Sequence, residues 1–402
     1  MNGCTTYRIR EYRIAQIFSN VLLALLPLVF LFTSCVDPYS PKLDIGDVDL
    51  LVVNGFLDYS DSTAVVELSK TLSLGGDTAR RPVEGAFVTI ESDDGSSFDL
   101  VEQSSGQYTL TKIPLHRALQ YRVHIVAENT EYLSDYAAIK LTPPIDSVVW
   151  RAIDDGTRIY VNTHDDSNNT RYYKWDFIET YEYDATLESV IKLVNRKPEQ
   201  RPPDESIFTC WKTFESSKIY VNSTVQLQND IVRDFPLRTI PRGSIILSKR
   251  YSILVKQRAL SESEFNFLDQ LQKTTEGIGG LFDPQPSQVE GNIHNVKGGP
   301  DALGVFSAGN TTSTRIFIGY RELPESVRVI YRNICPIDTI CATAGNHSYL
   351  CVESVENLDG SEYLLWAHGV PPTGADYYTT TTPICTDCRK QGGVLERPAF
   401  WN

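Results

Sequence analysis

Ala86-Phe87-Val88-Thr89-Ile90-Glu91-Ser92-Asp93-Asp94-Gly95-Ser96-Ser97-Phe98-Asp99-Leu100-Val101 is the stretch on which the fold turns. An apolar segment from Ala86 to Ile90 meets Asp93-Asp94-Gly95, and Phe98 to Val101 returns. An Asp-Gly step between two such segments spells a β-hairpin, because glycine accepts the positive φ that a tight turn demands. Working outward, Leu50-Leu51-Val52-Val53 leads into Asn54-Gly55, and Ala64 to Leu68, Gly106 to Leu110 and Tyr121 to Val126 add segments of similar length. Regularly spaced short strands separated by turn residues predict an N-terminal immunoglobulin-like β-sandwich over residues 48–142.

Leu141-Thr142-Pro143-Pro144 closes that unit, since paired prolines cannot continue a ladder. A larger β-rich domain is expected over 145–402, with one or a few short helices. Its predicted strands are Ser147–Trp150, Arg158–Val161, the aromatic run Tyr172–Tyr183, Ile245–Leu247, Tyr251–Val255, Arg315–Tyr320 and Ser326–Tyr331. One helix is marked by Ser261 and Glu264 at capping-box spacing and by Leu260 and Phe265 in staple positions. Phe265, Leu268 and Leu271 share a face, and Gly277 supplies a stop. The fold class is mainly β.

The N-terminus carries a different message. Arg8, Arg10 and Arg13 precede an apolar run from Val21 to Phe32, which ends in Leu31-Phe32-Thr33-Ser34-Cys35. A dozen apolar residues fall short of the roughly 20 that a spanning helix needs. The order instead reads as a lipoprotein signal peptide over 1–34, with Cys35 as the lipidated residue. Residues 35–47, polar and containing Pro38 and Pro41, read as a spacer off a membrane that the lipid on Cys35 would hold.

Without residues 1–34, which contain three arginines and one acid, the chain carries 34 Lys+Arg against 50 Asp+Glu, a net charge near −16. Such a surface repels phosphate backbones, so nucleic acid is not an expected partner. Six cysteines remain after Cys4 and Cys35: Cys210, Cys335, Cys341, Cys351, Cys385 and Cys388. An even set in an exported chain predicts disulfides stapling the C-terminal end, with the pairing open. Cys385-Thr-Asp-Cys388 also has the spacing of half a zinc site or a redox pair. No second CxxC and no thioredoxin-like pattern accompanies it.

Catalytic signatures are missing: the sequence has no G-x-S-x-G, no H-E-x-x-H and no G-x-x-x-x-G-K-[ST]. No cofactor or metal is therefore expected. His164-Asp165-Asp166 is the best metal candidate, but Ser167, Asn168 and Asn169 follow directly and favour a solvated turn. Tyr172, Tyr173, Trp175, Tyr181 and Tyr183 either stack on a sugar or peptide from an exposed sheet face or, as the simpler reading, pair across strands.

Several motifs in order carry a resemblance: the Cys35 box, Leu51-Val52-Val53-Asn54-Gly55, Cys210-Trp211-Lys212, Tyr251-Ser252-Ile253-Leu254-Val255-Lys256-Gln257, Phe282-Asp283-Pro284-Gln285-Pro286, Cys385-Thr-Asp-Cys388-Arg389, Gly392-Gly393 and Pro398-Ala399-Phe400-Trp401. Together they resemble the Bacteroidota lipoproteins of domain-of-unknown-function family 4249. The resemblance implies an outer-membrane lipoprotein, on the periplasmic or cell-surface face, in the company of TonB-dependent transporters. It brings no catalytic residues. Ala399 departs from the family's usual Asp before the terminal Phe-Trp pair. The expected function is that of a non-enzymatic accessory or binding component for a TonB-dependent nutrient transporter. A surface glycan or peptide hydrolase and a structural or adhesive module are the alternatives.

Overall fold

The computed structural model describes residues 49–71, 81–195, 197–276, 291–328, 334–341, 363–369 and 377–401. The predicted signal peptide, Cys35, the spacer, Gly277, the Phe282–Pro286 motif, Cys351 and most of the predicted strand after Val327 lie outside the described residues. Residues 49–402 form one compact unit.

Ten strands come first: Leu51–Asp58 (β1), Thr63–Lys70 (β2), Arg81–Pro82 (β3), Phe87–Ser92 (β4), Ser97–Asp99 (β5), Val101–Ser104 (β6), Gln107–Thr111 (β7), Gln120–Ala127 (β8), Thr130–Ser134 (β9) and Ala137–Ala138 (β10). The hairpin is present, with Gly95 at φ 88° between β4 and β5. Its return is shorter than predicted. The chain changes sheets at Leu100, so β5 pairs with β4 while β6 pairs with β7 in the opposite sheet. Alternate residues of both sheets, among them Val53, Val66, Ile90, Val123 and Ile125, point into one shared core.

The sandwich is not completed by residues 48–142. Ile293–Asn295 (β20) pairs with β9, and Leu303–Gly309 (β21) runs parallel to β1. Ile293, Ala302, Phe306 and Ala308 belong to its core. Asn54-Gly55 explains why β1 needs this partner. Rather than turning, the pair continues the strand to Asp58, and Phe306 lies so close that a Cβ on Gly55 would sit 2.9 Å from its ring. A contact between residues some 250 positions apart leaves no local trace in a sequence.

Next come Ile145–Ile153 (β11), Gly156–His164 (β12), Tyr172–Asp184 (β13), Ile191–Val194 (β14), Lys197–Gln200 (β15), Thr209–Glu215 (β16), Tyr220–Ser223 (β17), Ile231–Pro241 (β18) and Arg250–Ala259 (β19). The helix Glu262–Glu276 (α1) follows, then Thr311–Gly319 (β22), Asp338–Cys341 (β23), Tyr363–Gly369 (β24), Tyr377–Thr381 (β25) and the one-turn helix Pro383–Thr386 (α2). One sheet has the order β11-β12-β18, and another β16-β13-β19-β22 with β17 also on β13. Ile159, Val161, Leu237 and Ile240 of the first share a core with Tyr173, Trp175, Phe177, Tyr251, Ile253 and Val255 of the second.

Ile245–Leu247 is a 3₁₀ turn, not the predicted strand. Ser244 accepts the Ile246 amide through its Oγ, and Ser248 closes back on the Ile245 carbonyl, so three apolar residues form a plug under β13. The helix keeps half of its predicted box. Ser261 Oγ accepts the Glu264 amide, whereas the Glu264 carboxylate takes a hydrogen bond from Ser307 Oγ of β21 and so ties α1 to the sandwich.

The Thr142-Pro143-Pro144 junction is fastened on both sides. Thr142 donates from its amide and its Oγ1 to Asn310, and its Oγ1 accepts the Ala259 amide. Gln257, fully buried, donates to the Pro143 carbonyl at 2.9 Å and to Thr163 Oγ1 at 3.0 Å, and accepts the Trp175 indole N–H at 2.8 Å. Both N–H groups and the carbonyl of its side chain therefore find partners inside the core, which is the condition for burying such polarity without loss.

Candidate functional site

β13 follows strict alternation. Its odd positions from Tyr173 to Tyr183 are buried, and its even positions face the other side of the sheet. The aromatic set splits accordingly. Tyr173, Trp175, Tyr181 and Tyr183 are core residues, with Tyr173 stacked on Trp175 at 5.7 Å, while Tyr172 packs at a tilt against Phe265 of α1 at 4.9 Å. Four of the five are thus closed to a sugar or peptide.

The even face carries the charges. Lys174 lies directly opposite Arg258 of β19, and Asp176 opposite Lys256. A like-charge rung such as Lys174 against Arg258 is unfavourable in an antiparallel pair. Asp176 relieves it: Lys174 Nζ donates to its two carboxylate oxygens at 2.7 and 2.9 Å, and Arg258 comes within 3.9 Å. Burial drives the Lys174 ammonium below its usual range, Arg258 pushes it the same way, and Asp176 opposes both. Burial would raise the Asp176 carboxyl, but Lys174 and then Arg258 outweigh it and hold the group below the usual carboxylate range.

These residues floor a cleft of about 530 Å³. The sandwich supplies one wall through Asn54 and Phe56 of β1 and Glu67 of β2, and Glu215 of β16 stands on the other side. Arg258 has its guanidinium 4.2 Å from the Phe56 ring centroid, a cation–π contact that fixes the plane of its fork. Its side chain is only 16 % exposed, and it makes no hydrogen bond to any described residue. The cleft was not foreseen from the sequence, although Lys174 and Asp176 alternating with Tyr173, Trp175 and Phe177 is the pattern of a charged face over an aromatic core.

A wider groove of about 960 Å³ runs beside α1, with Tyr172, Phe265 and the exposed Leu227 among its lining. His164-Asp165-Asp166 is a turn. Asp165 accepts from the Ser167, Asn169 and Thr170 amides and from two hydroxyls, which hold its carboxyl at about 2 against the pull of burial. His164 is paired with Asp146 at 2.7 Å. Among the described residues, no three His, Cys, Asp or Glu side chains converge as a metal would require, and no helix is long and apolar enough to cross a membrane.

The cysteines hold the C-terminal end. Cys210 of β16 is bonded to Cys388, and Cys335 to Cys385. Cys341 is disulfide-bonded as well. The CxxC cysteines therefore bond outward to different partners, which consumes both sulfurs and leaves neither zinc ligation nor redox cycling between them. The final Phe400-Trp401 pair docks on the outer face of the second sheet. Trp401 is buried, packs edge-on against Phe317 and donates its indole N–H to Glu182 at 3.1 Å, while Arg315 sits 3.6 Å over Phe400. Ala399 is exposed, so the departure at this position costs the dock no contact.

The model of a family described as a domain of unknown function, DUF4249, matches residues 36–315. No curated protein matches the chain.

Proposed function

The chain belongs to the DUF4249 family, and we propose that it is a lipid-anchored outer-membrane protein acting as a non-enzymatic binding component for a TonB-dependent nutrient transporter. The observation that carries this reading is the cleft between the sandwich and the β13–β19 face. It lies within the size range of small-molecule sites, and its charged residues are held in place by partners on rigid strands. The Cys35 box supports the anchor, and the resemblance of the ordered motifs supports the transporter as partner.

The buried acids favour binding over catalysis. Glu179 lies in the core, where burial raises its carboxyl, and it accepts hydrogen bonds from Tyr251 and Arg238. Asp230 is closed by Thr224 Oγ1 at 2.6 Å and by the Arg171 amide. Both groups are spent holding strands and loops together. Crosslinking of intact envelopes, followed by identification of peptides joined to this chain, tests the proposal. Crosslinks concentrated on one TonB-dependent transporter support it. Crosslinks spread over abundant, unrelated envelope proteins count against it.

A further inference from the structure

The cleft lining holds three cations, Lys174, Lys256 and Arg258, and three carboxylates, Asp176, Glu67 and Glu215, but the charges are unevenly placed. On the floor the three cations face a single carboxylate, Asp176, and that carboxylate is already engaged by Lys174 at 2.7 and 2.9 Å. Glu67 on the opposite wall accepts from the Asn54 and Gln107 amides, and Glu215 is exposed at the margin. Lys256 has no ion-pair partner among the described residues. Arg258 is the sharper anomaly. Its side chain is 16 % exposed and held against Phe56, and the guanidinium reaches the cleft with Asp176 no nearer than 3.9 Å and no hydrogen-bond acceptor among the described residues. A like-charge rung on a chain with an excess of acids, 51 against 37 basic residues, is a second break with ordinary patterning. Such breaks collect at functional sites.

We propose that this cleft binds a small ligand through an oxyanion, a carboxylate or a phosphate, received by the Arg258 fork and the Lys256 ammonium. Phe56 acts as a positioning residue that presents the fork edge-on to the cleft. Asp176 engages Lys174 and holds it in place, which leaves Lys256 and Arg258 as the two cations on the floor open to the ligand. A planar guanidinium matches either oxyanion with two parallel N–H donors. At about 530 Å³ the space exceeds what an inorganic ion fills, so the rest of the ligand occupies the region toward Asn54 and Glu215, which offer hydrogen-bonding groups for hydroxyl or ammonium substituents.

The inference rests on the binding role proposed above and deepens it. Isothermal titration calorimetry of the detergent-solubilised full-length chain with citrate and with glycerol 3-phosphate tests it. At least one probe is expected to bind with a dissociation constant below roughly 1 mM, more weakly as salt is raised. Preference for citrate assigns a carboxylate ligand, and preference for glycerol 3-phosphate a phosphate ester. Arg258→Gln and Lys256→Gln should each weaken binding by about ten- to a hundredfold, with Lys273→Gln on α1 as the charge-matched control. Lys256 is only half-buried, so its variant keeps the test valid if loss of the Arg258–Phe56 contact perturbs folding. Failure of both probes to bind, or binding unchanged in both variants, overturns the proposal. Transporter crosslinking is scored separately. Oxyanion binding without a transporter removes only the accessory role, and a transporter without oxyanion binding removes only this inference.

Discussion

Cys210 and Cys388 are joined across 178 residues, and the Tyr183 hydroxyl donates to the Cys388 carbonyl at 2.7 Å beside the bond. The C-terminal segment is thereby clamped to β16 and β13 at the edge of the second core. Trp211 and Val394 add a pair of backbone hydrogen bonds at 2.9 Å.

Replacing both cysteines by serine should cost about 2–5 kcal/mol, because the bond closes a very long loop in the unfolded chain. Urea unfolding of the oxidised protein and the double variant checks this. An unchanged midpoint would mean that the clamp adds nothing to the packing around it.

Trp401→Ala should destabilise by about 3–5 kcal/mol, through the lost burial, the edge contact with Phe317 and the stranded Glu182 acceptor. The same denaturation series reads it. Ala399→Asp should be nearly neutral to stability, because Ala399 is exposed.

Gln257→Leu should cost about 1–3 kcal/mol, chiefly through the Trp175 indole N–H left buried and unpaired, since Thr163 Oγ1 keeps the Pro144 carbonyl and the Pro143 carbonyl keeps Thr312 Oγ1. The effect should be seen by Trp fluorescence as well as by the unfolding midpoint, since the indole changes environment. A variant as stable as the wild type would contradict the role given to this network at the Pro143 junction.

Acid should act through Asp165. Its carboxyl sits at about 2 in the folded chain against 3.8 when free, so the folded state binds its proton less tightly than the unfolded state does. The stabilisation is complete above about pH 4 and disappears as the pH falls toward about 2. Asp165→Asn should flatten that limb of the stability profile. His164 and His294 have the opposite sign. Asp146 raises His164 and Asp301 raises His294, so what they contribute is full below pH 6.5 and is lost as the pH rises through their folded values. Denaturant midpoints between pH 2 and 9, with His164→Gln and His294→Gln, separate the two effects.

The sandwich hairpin, the aromatic alternation of β13, the capping serine of α1 and the turn after His164 were legible because each follows from residues within a few positions of one another. Contacts made across hundreds of residues were not. Asn54-Gly55 looks like a turn until Phe306 is placed against it, and Ile245-Ile246-Leu247 looks like a strand until its serine cap and the overlying β13 are known. The cleft was hidden for the same reason. Lys174 and Asp176 acquire meaning only when the register sets Arg258 and Lys256 opposite them and the sandwich brings Phe56 over the guanidinium.

Cys35→Ser should release the chain from the membrane into the soluble fraction, since acyl anchoring supplies roughly 0.8 kcal/mol for each buried methylene. Fractionation after a high-salt wash checks it. Retention of the variant in the pellet would contradict lipid anchoring through Cys35.

The central claim is that this chain serves a transporter, and affinity capture of the tagged full-length protein from gently solubilised outer membranes tests it most directly. Recovery of one TonB-dependent transporter in amounts comparable to the bait is the predicted result. Recovery of no protein in comparable amount, with the bait intact and membrane-bound, would contradict it.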